Sequence, residues 1–165
     1  MADIYNIKKI LTSLKGKKLQ YICRSCELID IGFGDLISKK NHKNKEYKCA
    51  SFSLHIQCPF RISVEDKILT GSDDLFVSNS NSQYSVDLSK KKSTLFDIKA
   101  EKIMVDFPEE YVDECKLDEC GDLFLFLSNI KISLFVTGSE NCEAWRFLND
   151  DVFHIVVSGK DIELQ

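Results

Sequence analysis

A chain of 165 residues that is 44% hydrophobic and 29% charged, with 2 prolines and 7 glycines, has the size and composition of one folded domain and excludes disordered, collagenous and low-complexity classes. Its net charge of −4 conceals a gradient, from +6 over residues 1–48 through balance over 49–96 to −10 over 97–165. The overall sign argues against a general nucleic-acid binder, because neutralising phosphates takes a broad cationic surface.

Ile4, Ile7, Ile10, Leu11 and Leu14 recur at the spacing of one helical face, with Asp3 at the N-cap position and Gly16 past the end, which predicts an amphipathic helix of about three turns. Leu19, Tyr21 and Cys23, then Leu28, Ile29, Ile31 and Phe33, predict a hairpin that turns near Ser25–Glu27. Ser38 to Lys48 is polar and lysine-rich without periodicity and reads as a surface loop. Phe52, Leu54, Ile56, Cys58, Phe60 and Ile62 alternate with Ser51, Ser53, His55, Gln57 and Arg61, the pattern of one long half-buried strand, with Pro59 marking an edge or a bulge.

A short strand is expected at Ile68–Thr70 between the turns Glu65–Lys67 and Gly71–Asp74, followed by a second surface loop over 78–93. Leu95, Ile98, Ile103 and Val105 fit a helix or an extended segment, and Pro108 ends either one. Strands are predicted at 111–117, 123–127, 130–136, 145–148 and 152–158, the first three as an antiparallel meander, and the chain closes with 159–164. The expected fold is α+β, mainly antiparallel β-sheet with an N-terminal amphipathic helix, in a single domain over 1–165. No run approaches the about 18 apolar residues of a membrane span, and the start lacks a leader pattern, so the expected compartment is the cytoplasm.

Seven cysteines, at 23, 26, 49, 58, 115, 120 and 142, are an odd number and are expected as free thiols. Cys23-Arg24-Ser25-Cys26 has the spacing of half a zinc site, but Cys49 or His42 would have to complete it from a distance, and neither metal nor other cofactor is expected. Gly32-Phe33-Gly34 lacks the third glycine of a dinucleotide fingerprint. His55, Gln57, Arg61 and Asp73 form one candidate ligand site, in which Arg61 meets either an anion or, as a structural pair, Asp73 or Asp74. Trp145-Arg146-Phe147 with His154 is a second concentration of unusual side chains. No glycine-rich elbow precedes a serine or cysteine, so no catalytic residue is assigned and an enzyme is not expected.

The densest charge feature is Glu109, Glu110, Asp113, Glu114, Asp118, Glu119 and Asp122. These carboxylates are either a solvated face or the docking surface for a basic protein partner. The run Leu54 to Ile62, then Ile68 to Asp74, then Glu143-Ala144-Trp145-Arg146-Phe147 and His154-Ile155-Val156-Val157, resembles a group of small uncharacterised bacterial proteins found among the immunity proteins of toxin systems. The resemblance runs from about Leu14 to Ile162. It implies a compact single-domain bacterial protein with a binding role more than a catalytic one, and the expected partner is a cognate toxin or effector domain; charge and the lack of an apolar span make neither nucleic acid nor membrane an expected partner. Small-molecule or anion binding at His55, Gln57, Arg61 and Asp73, with or without catalysis, is the alternative.

Overall fold

The computed structural model describes residues 4–79, 86–149 and 152–165. Helix α1 (Ile4–Leu11) buries Ile7 and Leu11, and a 3-10 turn, Thr12–Leu14, buries Leu14. The apolar stripe read from the sequence is therefore one α-helix tightened at its end, and Gly16 leaves it at φ +77°, a left-handed conformation that favours glycine. Asp3, the expected cap, lies outside the described residues.

Strands β1 (Leu19–Ser25) and β2 (Leu28–Lys40) pair antiparallel through a two-residue turn, Cys26-Glu27, with Ser25 opposite Leu28. Strand β3 (Glu46–Ile56) pairs with β2 as far as Lys40 opposite Glu46. The expected loop over 38–48 is thus mostly strand, with only residues 41–45 in the turn. The ribbon alternates exposed residues with the half-buried Ile37, Lys39 and Cys49, but lysines stand on both faces, so no apolar alternation marks it and its sequence reads as loop.

The long strand expected through Ile62 is broken. β3 ends at Ile56, and β4 (Phe60–Val64) begins in a different sheet. Pro59 has no amide hydrogen and holds the preceding residue extended, so the chain crosses between sheets at 57–59. The crossing is tied by Gln57 N–H to the Ala144 carbonyl at 2.8 Å and by Phe135 N–H to the Pro59 carbonyl at 2.9 Å. Alternation survives it, because Phe52, Leu54 and Ile56 on one side and Phe60 and Ile62 on the other enter the same core.

Strand β5 (Lys67–Gly71) pairs with β4 and leads into a 3-10 turn, Ser72–Phe76. The segment the sequence left open between helix and strand is helix α2 (Leu95–Asp106), buried through Phe96, Ala100 and Ile103. A capping box decides it: the Thr94 hydroxyl accepts from Asp97 N at 3.2 Å, and the Asp97 carboxylate accepts from Thr94 N at 3.0 Å. Strands β6 (Val112–Leu117), β7 (Leu123–Leu127) and β8 (Ile130–Leu134) form the predicted meander, and β9 (Glu143–Asn149), β10 (Phe153–Ser158) and β11 (Ile162–Leu164) complete the fold. Between the strands predicted at 145–148 and 152–158, residues 150 and 151 lie outside the described set, as does part of the loop expected at 78–93.

The sheets are antiparallel, in the orders β1-β2-β3-β9-β10-β11 and β5-β4-β8-β7-β6. They close on one core in which Phe33, Phe96, Trp145 and Phe147 are completely buried. Trp145 also places its indole N–H 2.8 Å from the Gly121 carbonyl, so its one polar atom is satisfied. The protein is α+β and mainly antiparallel sheet, and among the described residues no helix is long and apolar enough to cross a membrane.

Candidate functional site

The two clusters singled out on β3 and β9 meet on the outer face of the six-stranded sheet. His55 lies directly opposite Asp30 on β2 and Arg146 on β9, and residues opposite one another in an antiparallel pair share a face. His55 Nε2 is 3.8 Å from the Asp30 carboxylate, which also accepts from the Ser53 hydroxyl. Arg146 makes a two-pronged bond to Glu143, at 2.7 and 3.2 Å, and directs Nη1 towards His154 Nδ1 at 3.4 Å. Gly32 leaves room on this face for the Tyr21 ring, which a Cβ there would strike. Burial, then the neighbouring Asp30 charge, pushes the Tyr21 phenol up to about 12.

This arrangement is a ladder of mutually satisfied polar side chains. A serine nucleophile needs imidazole between hydroxyl and carboxylate. Here the Asp30 carboxylate takes that middle position, so the Ser53 hydroxyl meets a carboxylate in place of an imidazole. Asp30 was not legible as a member of the cluster, because its nearness to His55 comes from strand register, whereas Ser53 and Glu143 are close neighbours of His55 and Arg146 on their own strands.

The rest of the expected ligand site disperses. Gln57 is exposed beyond the end of β3, and Asp73 is exposed in the 3-10 turn. Arg61 belongs to β4 in the other sheet and lies over the Phe135 ring, 5.1 Å from its centroid. Its expected aspartate partner is engaged elsewhere: Asp74 accepts from Thr70 Oγ1 at 2.8 Å and from Lys99 Nζ at 3.1 Å. An exposed guanidinium loses little by exchanging a carboxylate for an aromatic face. The sequence reading of Arg61 as an Asp73 or Asp74 partner is therefore corrected. Among the described residues, clefts of about 610, 700 and 870 Å³ open on the surface. None of the three is lined by His55, Gln57, Arg61 or Asp73.

The carboxylate run divides by role. Glu110, 1% exposed, is inside the fold, where it accepts from Asn129 N at 2.9 Å, Asn129 Nδ2 at 2.6 Å and Ile130 N at 3.3 Å. Asp122 accepts from Val136 N at 2.7 Å, and Asp118 caps its own turn through Cys120 N and Asp122 N, both at 2.9 Å. Glu109 pairs with Lys18 at 2.6 Å and accepts from the Tyr111 hydroxyl at 2.9 Å. Those bonds from Lys18 and Tyr111 hold the Glu109 carboxyl below its usual range. Glu114 pairs with Lys116 at 3.1 Å, and Asp113 and Glu119 are exposed. Glu110 is thus removed from any surface, while Glu109, Asp113, Glu114, Asp118 and Glu119 remain exposed on and beside β6. That strand is an edge of its sheet.

The side chain of Arg24, between Cys23 and Cys26, is 3% exposed. Its Nε and Nη2 clamp Asp97 at 2.9 and 2.8 Å. Nη1 donates to the carbonyls of Cys26 and Leu88 at 3.0 and 2.7 Å, and Nη2 to the Lys90 carbonyl and the Ser93 hydroxyl at 2.9 and 3.0 Å. One guanidinium therefore ties the β1–β2 hairpin, the segment before α2 and the first turn of α2 together.

Among the described residues no cluster of three or more potential ligands can hold a metal ion, and all seven cysteines are free thiols. Burial raises Cys58 to about 11 and Cys115 to about 12. A thiol alkylates through its thiolate. Iodoacetamide at pH 8, read by peptide mass spectrometry, is expected to label the exposed Cys26, Cys120 and Cys142 well before Cys58 and Cys115. Equal labelling rates would refute the burial of those two. Comparison of the chain with family models, curated proteins and solved structures finds no match.

Proposed function

We propose that this chain is a protein-binding module, an immunity-type inhibitor that neutralises a cognate bacterial toxin or effector domain by covering a basic functional surface. The observation that carries the reading is the acidic edge strand. Beyond Val112 no described strand pairs with the outer side of β6, and Glu109, Asp113, Glu114, Asp118 and Glu119 stand exposed along and beside it. An open edge offers backbone groups to a partner strand, and complementary charge raises the association rate and selects the partner. Toxic nucleases hold a polyanion and carry matching positive charge. The resemblance of the sequence to immunity proteins supports the same reading.

The test is co-expression with the toxin-like products of adjacent reading frames, followed by gel filtration and assay of the toxic activity. One stoichiometric complex in which the activity is silenced is the expected result. Asp113→Lys, Glu114→Lys and Glu119→Lys together should abolish that complex while leaving thermal unfolding unchanged, because none of the three carboxylates is buried. Loss of no complex in that variant, or inhibition of no adjacent product by the native chain, overturns the proposal.

A further inference from the structure

The outer face of the five-stranded sheet carries aromatic rings where a solvated face normally carries polar side chains. On β7, Leu123, Leu125 and Leu127 are buried in the core, so the alternate residues Phe124 and Phe126 point outward, both half-buried. Strand register extends this face across the sheet. Phe124 lies opposite Lys116 on β6 and Ser133 on β8, Ser133 lies opposite Arg61 on β4, and Phe126 lies opposite Lys131. Residues paired in this way share a face, and Phe135, two residues beyond Ser133, completes it.

Rings and cations alternate along it. Arg61 lies 5.1 Å from the Phe135 centroid, Phe135 meets Phe124 edge to face at 6.1 Å, and Lys131 Nζ stands 4.9 and 4.8 Å from the centroids of Phe124 and Phe126. Lys116 reaches Phe126 at 5.0 Å and pairs with Glu114 at 3.1 Å. Arg61 and Lys131 have no carboxylate partner among the described residues. At the β6 end the face runs into the cleft of about 700 Å³, which Phe124 and Lys116 share with Lys8 and Lys9 of α1.

Ser133 stands at the centre. It is 0% exposed, and its hydroxyl has no hydrogen-bond partner among the described residues. Folded proteins leave few such groups, and this one lies on the side of the sheet where Arg61 and Lys131 are held by ring contacts.

We infer that this face binds single-stranded nucleic acid, with bases stacked on Phe124, Phe126 and Phe135 and phosphates held by Arg61, Lys131 and Lys116. Unpaired bases stack on the aromatic side chains of open antiparallel sheets, and neighbouring cations track the backbone. Phe124 and Phe126 stand about 7 Å apart along one strand and offer adjacent platforms. A base arriving on either ring sends the Lys131 ammonium to a phosphate, and stacking is worth more than the exposed cation–π contact it replaces. The same movement opens the Ser133 hydroxyl to a base edge. An acidic peptide would use the cations and leave the rings and the hydroxyl idle. A second copy of the chain packed face to face would oppose the same three cations. The negative net charge works against binding over the whole surface, which confines the contact to this face.

The experiment is fluorescence anisotropy of the full chain with a labelled single-stranded DNA of about 12 nucleotides, from about 50 to 200 mM salt. Saturable binding is expected, with log affinity falling against log salt at a slope of about −1.4 to −2, as for two or three phosphates of a single strand. Phe124→Leu with Phe126→Leu should weaken binding at least about tenfold. Arg61→Gln with Lys131→Gln, which removes no buried apolar group, should do the same and flatten the slope by about 1.4. Ser133→Ala deletes a hydroxyl that bonds nothing in the fold, so it should unfold no earlier than the native chain and still bind about threefold or more weakly. The same Gln replacement of Lys90, Lys91 and Lys92 should leave affinity within about twofold. The Asp113→Lys, Glu114→Lys and Glu119→Lys variant should bind the strand more tightly, so this inference and the proposed protein partner fail separately. Four results would overturn the inference: no binding up to about 100 μM protein at the lowest salt, equal affinity for the strand annealed to its complement, native affinity in both double variants, or native affinity in Ser133→Ala.

Discussion

Arg24→Ala is expected to lower the free energy of unfolding by about 3–5 kcal/mol, the range for removing one partner of a buried ion pair, and to depress the melting temperature by about 10 °C. The loss extends beyond the Asp97 clamp, because the carbonyls of Cys26, Leu88 and Lys90 also lose a donor. Arg24→Lys should recover little of it, since one ammonium cannot reach acceptors spread around a planar fork. Urea unfolding of Arg24→Ala, Asp97→Asn and the double variant measures the coupling, expected at 1 kcal/mol or more for partners in one network, within the usual range of about 0.5–3 kcal/mol. Acid supplies an independent check. Burial works against the Asp97 carboxylate, but the hydrogen bonds from Arg24 and Thr94 outweigh it and hold the folded pKa below the ordinary 3.8. The pair's contribution is therefore complete above the unfolded value and disappears as pH falls through the lower folded one. The gap between native and Arg24→Ala stability should narrow below pH 4. Additive single effects, or a gap independent of acid, would mean that the guanidinium only fills space.

Local patterning made much of the architecture readable. Ile7, Leu11 and Leu14 announced the first helix, and Phe52, Leu54 and Ile56 announced the buried face of β3 because strand alternation places every second residue in the core. Three features were invisible for separate physical reasons. The ribbon at 36–50 alternates exposed with half-buried residues, but lysines stand on both faces and hide the period. Pro59 signalled an interruption, but not that the chain would change sheets. Arg24 engages backbone carbonyls more than sixty residues away in the sequence, and a carbonyl has no residue identity to read. The capping box at Thr94–Asp97 was the available signal that α2 is a helix. Site residues fared as their contacts dictate. His55 and Arg146 were found separately and joined by register, whereas Arg61 and Asp73, close in sequence, point to different surroundings.

Glu110 provides the sharpest separation of structural from surface carboxylates. Glu110→Ala is expected to cost about 3 kcal/mol, since hydrogen bonds to a charged group are worth about 1.5–3 kcal/mol each and the mutation leaves buried donors without an acceptor. Those donors, the amides of Asn129 and Ile130, belong to the tight connection between β7 and β8. The Glu110 carbonyl meanwhile accepts from Leu19 N at 2.8 Å, so the same residue joins β1 to the five-stranded sheet. Glu110→Gln retains an acceptor oxygen and should cost about half as much. Glu114→Ala, four residues on, should leave the urea midpoint where it is, because its pair with Lys116 is more than half exposed on both sides. If Glu110→Ala unfolded at the native midpoint, the carboxylate would be free to face a partner. If it unfolds early, any binding lost with it reports the fold, and only Asp113, Glu114 and Glu119 can report the acidic edge as an interface.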